Sequence, residues 1–382
     1  MLRSILGYLQ AVGDSHGLTK TLGDIDVCRD AAGRIMYSTG NSAVVFKIHS
    51  VSGDKMLKCY TRPPRYLAEI YGDRLLRDEL FLFTGSVEGR WVDVVMDEWV
   101  EGETLHEAIV KASATGNTVR LTQLATAFDT LAMELLSDER AHGDLKPENI
   151  IVTVDGTLRL IDFDARYLPI FAGEQSTELG TAAFQHPART AMDFDASLDD
   201  YPIALISTAL HALSLDPTLQ DRHKESDGLL FDPQQIHTSK ALAEVLTLFE
   251  KQGLALRYRI AQLLYAPIIR LFGLKELIGY GLHKTSASPA ETEMPELFVE
   301  SGRWGFRTTE HIVIPPIYDC GFDFSDSLAA VRIAQTWHYI DLAGRVAING
   351  AAFEAIKPFN SGRAKVCRNH EWLYIDTCGR TI

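Results

Sequence analysis

Short apolar, β-rich runs alternate with turns from residue 20 to about 98, and that pattern predicts strands. MYSTGNSAVVFKIHS and DKMLKCY read as strands around a Ser-Gly turn, RYLAEIYG as a helix, and LFLFTGS and WVDVVMDEW as a hairpin around Glu88-Gly89. From there to about residue 283 the apolar positions recur every three or four residues. Leu124, Phe128, Leu131 and Leu135 mark one face of a helix that ends before His142, and residues 201–213 make a second, strongly apolar helix. Between them NIIVTVDGTLRLIDF places Asp155-Gly156 between two apolar runs, a hairpin signal. At the start of the chain Leu2, Ile5, Leu6 and Leu9 fall at helical spacing, which predicts a short helix docked on the next domain by that face.

Residues 284–295, KTSASPAETEMP, are small, polar and Pro-containing, and read as a linker with nothing to bury. Beyond it the chain repeats itself. Trp304, Trp337 and Trp372 recur at near-equal spacing, and Trp337-x-Tyr339-Ile340-Asp341-x-x-Gly344 returns as Trp372-x-Tyr374-Ile375-Asp376-x-x-Gly379. Units this short cannot bury their own aromatic side chains, so neighbours must stack, with the aromatic stripe as core and the last copy as a cap.

Composition narrows the function classes. The 382 residues suggest two or three domains, and 46% apolar with 23% charged content fits a globular chain with a large core. A net charge of −14 without a basic block repels a phosphate backbone, so nucleic acid is not expected as the partner. The most apolar late stretch, 254–283, is broken by Arg257, Arg259, Pro267, Arg270 and Lys275 and cannot span a bilayer. Five scattered cysteines, never spaced as Cys-x-x-Cys, predict a reducing compartment and no zinc site, and with a start that has no h-region they point to a cytoplasmic location.

The chemistry concentrates in His142-Gly143-Asp144-Leu145-Lys146-Pro147-Glu148-Asn149, followed after the hairpin by Leu160-Ile161-Asp162-Phe163. A loop presents Asp144, Lys146 and Asn149, and the returning strand pair brings Asp162 beside them. Oxygen ligands for magnesium, a cation for a phosphate and a carboxylate to orient a hydroxyl are what transfer of a γ-phosphoryl group requires.

These residues resemble the protein kinase family, in its Ser/Thr branch, whose catalytic loop H-R-D-x-K-x-x-N is followed by D-F-G. The resemblance covers residues 30–215 well and 216–283 poorly. It implies an α+β, bilobal kinase-like fold, with an N-terminal helical extension at 1–19, an N-lobe at 20–98 and a C-lobe at 99–283. It implies ATP and Mg2+ as cofactors, Asp144 as catalytic base, Lys146 as the γ-phosphate contact, and Asn149 and Asp162 as metal ligands. Lys58 matches the strand lysine that grips the α and β phosphates. Its partner on the helix is expected to be Glu69, with Glu79 the alternative. The phosphate-covering loop falls at Ser38–Ala43 around Gly40, and Glu98 and Val100 match the backbone that borders the adenine. Asp200 matches the buried aspartate that holds the catalytic loop. The tail, 296–382, resembles WG repeats, with the Trp-Gly pair kept at Trp304-Gly305 and lost at His338 and Leu373.

Three positions depart from the kinase pattern. Gly143 replaces the arginine that pairs with a phosphorylated activation loop, so activity is expected not to depend on loop phosphorylation. Asp164 replaces the glycine of D-F-G, which predicts a stiffer loop or an added carboxylate near the metal. Arg189 replaces the glutamate of A-P-E. The resemblance implies phosphoryl transfer to Ser or Thr of a protein, with the repeats recruiting protein partners or substrates. A pseudokinase scaffold and a kinase for a small hydroxylated metabolite or antibiotic are the alternatives.

Overall fold

The computed structural model describes residues 4–40, 42–83, 88–223, 228–283 and 294–382. Helix α1 (Ile5–Gly13) is capped by Ser4, whose hydroxyl accepts the Gly7 N–H at 3.0 Å. Strands β1 (Asp26–Val27), β2 (Tyr37–Thr39), β3 (Ala43–His49) and β4 (Lys55–Tyr60) precede a five-residue helix, α2 (Leu67–Tyr71). Strands β5 (Leu75–Phe83) and β6 (Gly89–Glu98) complete a six-stranded antiparallel sheet ordered β1-β3-β4-β6-β5, with β2 paired to β3. The turn expected around Glu88-Gly89 joins β5 to β6 and falls largely outside the described residues.

Helix α1 does dock on this sheet, but by another face. Tyr8, Ala11 and Val12 are buried in the sheet's core, whereas Ile5 and Leu6 are exposed. The Tyr8 hydroxyl donates to the Tyr60 carbonyl at 2.6 Å, and this buried polar anchor selects the face that the leucines alone did not identify.

Strand β7 (Glu103–Thr104) leads into α3 (Leu105–Ala114), whose start is closed by a capping box between Thr104 and Glu107. Helix α4 (Thr118–Leu135), the hairpin β8 (Ile150–Val152) and β9 (Leu158–Leu160), and α5 (Asp200–Leu215) come next, as the hydrophobic pattern requires. Helices α6 (Leu219–Arg222), α7 (Lys240–Lys251), α8 (Ala255–Leu263) and α9 (Leu274–His283) complete the helical part. Helix α5 is buried almost all round, against α4, α7 and α8. A polar knot ties it in: Asp129 of α4 accepts from Ser207 and His211 of α5 and pairs with Arg257 of α8 at 2.7 Å.

The C-terminal region is β-rich. Strands β10 (Glu296–Glu300), β11 (Arg303–Arg307) and β12 (Ile312–Tyr318) form one small antiparallel sheet. Strands β13 (Cys320–Gly321), β14 (Ala329–Ile333), β15 (Thr336–Ile340) and β16 (Val346–Ile348) form the second. Strands β17 (Ala355–Ile356), β18 (Arg363–Arg368) and β19 (Glu371–Asp376) form the third. The repeating tryptophans border the core rather than fill it. Trp304 and Trp337 are half-buried and pack against the core's edge, and Trp372 is 47% exposed, while Phe306, Tyr339, Phe359 and Ile375 fill the interior. Cations cover the open faces, Arg332 over Trp337 and Lys365 over Trp372.

Residues 284–293, most of the expected linker, lie outside the described residues. The β-rich region is packed on the helices rather than merely tethered to them. Phe306, Ile314, Val331 and Ile340 belong to the same buried cluster as α4, α5 and α8. Buried Arg259 of α8 donates to the Ile317 carbonyl at 2.7 Å and pairs with Asp319 at 2.9 Å. His338, the residue in place of the second repeat's glycine, is fully buried and donates through Nε2 to the Glu250 carbonyl at 2.8 Å. At Gly253 (φ +68°) an added Cβ would lie 2.3 Å from Val346 Cγ2, so only glycine admits the second repeat this closely. Residues 240–264, which carried no recognisable mark in the sequence, are the dock for the tail.

Candidate active site

The loop after α4 is suspended from one buried carboxylate. Asp199 accepts the His142 N–H at 2.5 Å and the Gly143 N–H at 3.0 Å. The residue expected in this role, Asp200, faces the other way: its Oδ2 accepts the Leu271 N–H at 2.8 Å. The correction is one position, and its cause is geometric. Asp199 closes a 3-10 turn ahead of α5, whereas Asp200 already turns with the helix. Burial pushes the Asp200 carboxyl up to about 6.

Gly143 has φ +79°, and a Cβ there would lie 2.1 Å from the Ala165 carbonyl oxygen. The segment after Asp164 therefore runs directly over position 143, leaving no space for an arginine. A cation reaches the spot from elsewhere. Arg189 donates to the Gly143 carbonyl at 2.8 Å and to the Gln185 side chain. Arg189 thus brings a positive charge to the backbone of this loop.

Around Asp144 the contacts are dense. Its Oδ1 accepts the Thr181 N–H at 2.6 Å, and its Oδ2 lies 3.1 Å from Lys146 Nζ and 3.3 Å from Asn149 Nδ2. Lys146 also donates to the Thr181 hydroxyl at 2.7 Å. Asn149 spends its amide nitrogen on the Asp144 carboxylate and carbonyl, which turns its Oδ1 away as the acceptor open to a ligand. The hairpin brings the next group in register: the Ile161 N–H donates to the Asn149 carbonyl at 2.9 Å, and Asp162 comes next in left-handed backbone (φ +63°).

Lys58, on β4, is only 4% exposed and meets two aspartates, Asp162 Oδ1 at 2.5 Å and Asp164 Oδ2 at 2.7 Å. Burial opposes its charge, but Tyr71, Asp162 and Asp164 outweigh burial and hold the ammonium above the usual lysine range. Burial likewise opposes ionisation of Asp162, and Lys58 with its hydrogen bond reverses the balance, so that carboxyl sits below its usual range. Asp164 is buried, and its Oδ1 accepts from the Tyr60 hydroxyl at 2.8 Å and the Tyr71 hydroxyl at 2.7 Å.

Neither glutamate considered as the partner of Lys58 is placed as expected. Glu69 is exposed on α2, a helix of five residues with its inner face taken by Leu67, Ile70 and Tyr71. Glu79 is buried on β5 and accepts the N–H groups of Lys20, Thr21 and Leu22, tying that segment to the sheet. Asp164 occupies the place instead. Two further positions are local. Gly40 donates to the Ala43 carbonyl at 3.0 Å in the β2-β3 turn, and its neighbour Asn41 lies outside the described residues. Glu98 ends β6 with its side chain on Lys55 and its N–H on Asp97 Oδ1, and Val100 lies half-buried just beyond it.

The structure thus joins Lys58 to Asp162, and Asp144 to Lys146 and Asn149, through one hairpin, and leaves Glu69 outside. Tyr60, Tyr71, Asp199 and Arg189's contact with Gly143 were not anticipated. Tyr60 alone had a signal, lying two residues after Lys58 and hence on the same side of β4.

The tail's three small sheets, with a near-equal spacing of their tryptophans, have a known counterpart. Residues 307–337 and 339–372 match the family of WG containing repeats. The chain is therefore a mixed α/β protein whose β-rich C-terminal region is similar to WG repeats. The two matched stretches divide at His338, the residue that seats the second repeat on α7. No curated protein matches the chain. Among the described residues no helix is long and apolar enough to cross a membrane.

Proposed function

We propose that the chain is a bilobal kinase-like phosphotransferase that moves the γ-phosphoryl group of ATP to Ser or Thr of a protein, with the WG repeats as the surface that recruits its substrate or partner. The observation that supports this best is the convergence of Lys58 on Asp162, at 2.5 Å, beside the Asp144–Lys146–Asn149 group. Asp144 is the group to orient a hydroxyl and receive its proton. Lys146, at 3.1 Å, shares that carboxylate and can follow a transferring phosphoryl group. Lys58 can hold the nucleotide's inner phosphates, with Asp164 keeping its ammonium in place.

Magnesium fits the donors available. The open amide oxygen of Asn149 and the half-exposed carboxylate of Asp162 are hard oxygen ligands, and they would hold the ion, which supplies charge neutralisation at the phosphates when bound. One observation favours a scaffold without catalysis instead: both oxygens of Asp144 already have partners within the chain, Thr181 on one and Lys146 with Asn149 on the other. A substrate hydroxyl has to displace one of them.

Incubation with γ-labelled ATP, magnesium and generic protein acceptors separates the two. Label in acceptor protein that disappears in both Asp144→Asn and Asp162→Asn supports the transferase. Nucleotide-dependent heat in a titration without any transfer supports the scaffold. Transfer that persists in both variants removes the site assignment.

A further inference from the structure

A second cluster of reactive side chains lies on the β1 edge of the six-stranded sheet. Cys28 Sγ is 3.3 Å from His49 Nε2 and 3.7 Å from His49 Nδ1, and His49 Nδ1 is 2.7 Å from Asp54 Oδ1. A sulfur, a nitrogen and an oxygen, one from each residue, all lie within 4.8 Å of one another. We propose that Cys28, His49 and Asp54 bind a zinc ion.

The scaffold is fixed before any ion arrives. Cys28 directly succeeds β1, with its N–H on the Lys47 carbonyl and its carbonyl accepting the Met36 N–H, both at 2.9 Å. His49 ends β3, paired in register with Asp26. Asp54 comes after a turn closed by hydrogen bonds between Ser50 and Gly53, and its carbonyl accepts the Trp99 N–H at 3.2 Å. Three separate segments therefore present their donors from a hydrogen-bonded sheet rather than from free loops.

Donor chemistry selects the ion. Thiolate, imidazole and carboxylate together are a borderline-soft set, suited to zinc and unsuited to magnesium or calcium, which take oxygen. With metal–ligand bonds of about 2.0–2.3 Å, donors at the corners of a tetrahedron stand roughly 3.3–3.7 Å apart. With Nδ1, the nitrogen that faces Asp54, as the imidazole donor, its 3.7 Å separation from Cys28 Sγ already matches. The His49–Asp54 contact, now 2.7 Å, opens by roughly 0.6 Å as the ion replaces the hydrogen bond between them and the ring proton passes to Nε2.

Charge and outer contacts agree with this choice. Binding releases the Cys28 thiol proton to solvent, and one thiolate with one carboxylate then neutralises the dication. The second oxygen of Asp54 is held by Lys47 Nζ at 2.9 Å, and Lys47 also pairs with Glu101 at 2.9 Å, so the carboxylate is oriented by a contact of its own. Cys28 is buried, while the side chains of His49 and Asp54 are 54% and 36% exposed, which leaves the fourth position open to water.

Cobalt(II), added to the full chain without an affinity tag after treatment with a chelator, tests the site. One equivalent should give sulfur-to-cobalt charge-transfer absorption that zinc abolishes, and zinc should raise the thermal midpoint. Cys28→Ser should lose the charge-transfer band. His49→Gln, a change at an exposed side chain, should weaken cobalt binding at least ~10-fold while leaving metal-free unfolding unchanged. Absence of the band in the parent protein, or a band that survives Cys28→Ser, overturns the proposal.

Discussion

Lys58 Nζ lies 2.7 Å from Asp164 Oδ2, and the other oxygen of that carboxylate carries the hydroxyls of Tyr60 and Tyr71. The pair links β4 to the segment after β9, and α2 takes part only through Tyr71. Asp164→Ala removes the acceptor that the Tyr60 and Tyr71 hydroxyls share and leaves Lys58 with one counter-ion where it had two. The expected loss is about 2–3 kcal/mol in urea-induced unfolding, with Asp164→Asn losing less because it still accepts from the tyrosines. A change in Asp164→Ala within ~0.5 kcal/mol of zero would mean that the network carries no net stability.

An arginine at position 143 should harm the protein. Even Gly143→Ala places a Cβ against the Ala165 carbonyl in left-handed backbone, a cost of about 2 kcal/mol or more. Gly143→Arg should be at least as destabilising in thermal unfolding. An arginine tolerated there without loss of midpoint would show that the Ala165 segment moves away easily.

Asp200 gives stability a pH dependence of known sign. Burial raises its folded-state pKa to about 6, above the unfolded value, so its favourable contribution is complete below about pH 4 and is lost as pH rises through 6. Above that, the ionised carboxylate is a liability. Asp200→Asn, which keeps an acceptor for the Leu271 N–H, should stabilise the protein at pH 7.5 by on the order of 2 kcal/mol and have little effect at pH 4. Equal midpoint shifts at both pH values would contradict the assignment.

The repeats should not come away cleanly. Arg259→Ala removes the bonds to Ile317 and Asp319 and leaves the Ile317 carbonyl without its guanidinium donor, while Asp319 keeps Arg303 and the Ala334 N–H, at a cost of about 2 kcal/mol. Limited proteolysis should then cut within residues 296–340 in the variant and spare them in the parent chain. A truncation at residue 290 should lose solubility, since Phe306, Ile314 and Val331 cover apolar surface of the helical part.

Much of this architecture could be read from residue patterns. The short β-rich runs, the apolar α5 and the Asp155-Gly156 hairpin each appear where local chemistry sets them. So does the tail's repetition, because identical neighbours must solve the same packing problem. What escaped was set by groups distant in sequence. Asp199 and Asp200 are indistinguishable as letters, and only the phase at which α5 begins decides which of them meets the loop. Glu69 sits on the expected helix, yet α2 ends after five residues and the second carboxylate on Lys58, Asp164, comes from beyond β9. The repeating tryptophans misled for a related reason: large aromatic rings satisfy either a core or a cation-covered surface, and periodicity does not separate the two.

The sharing of one core between the helices and the repeats has a consequence for how the protein is made. While the chain is still emerging from the ribosome, α4, α5 and α8 can form before Phe306, Ile314, Val331 and Ile340 exist to cover them. Through that interval the nascent polypeptide carries an oily scar on its helical flank, which exposes it to chaperone capture or to self-association until the last hundred or so residues have been translated.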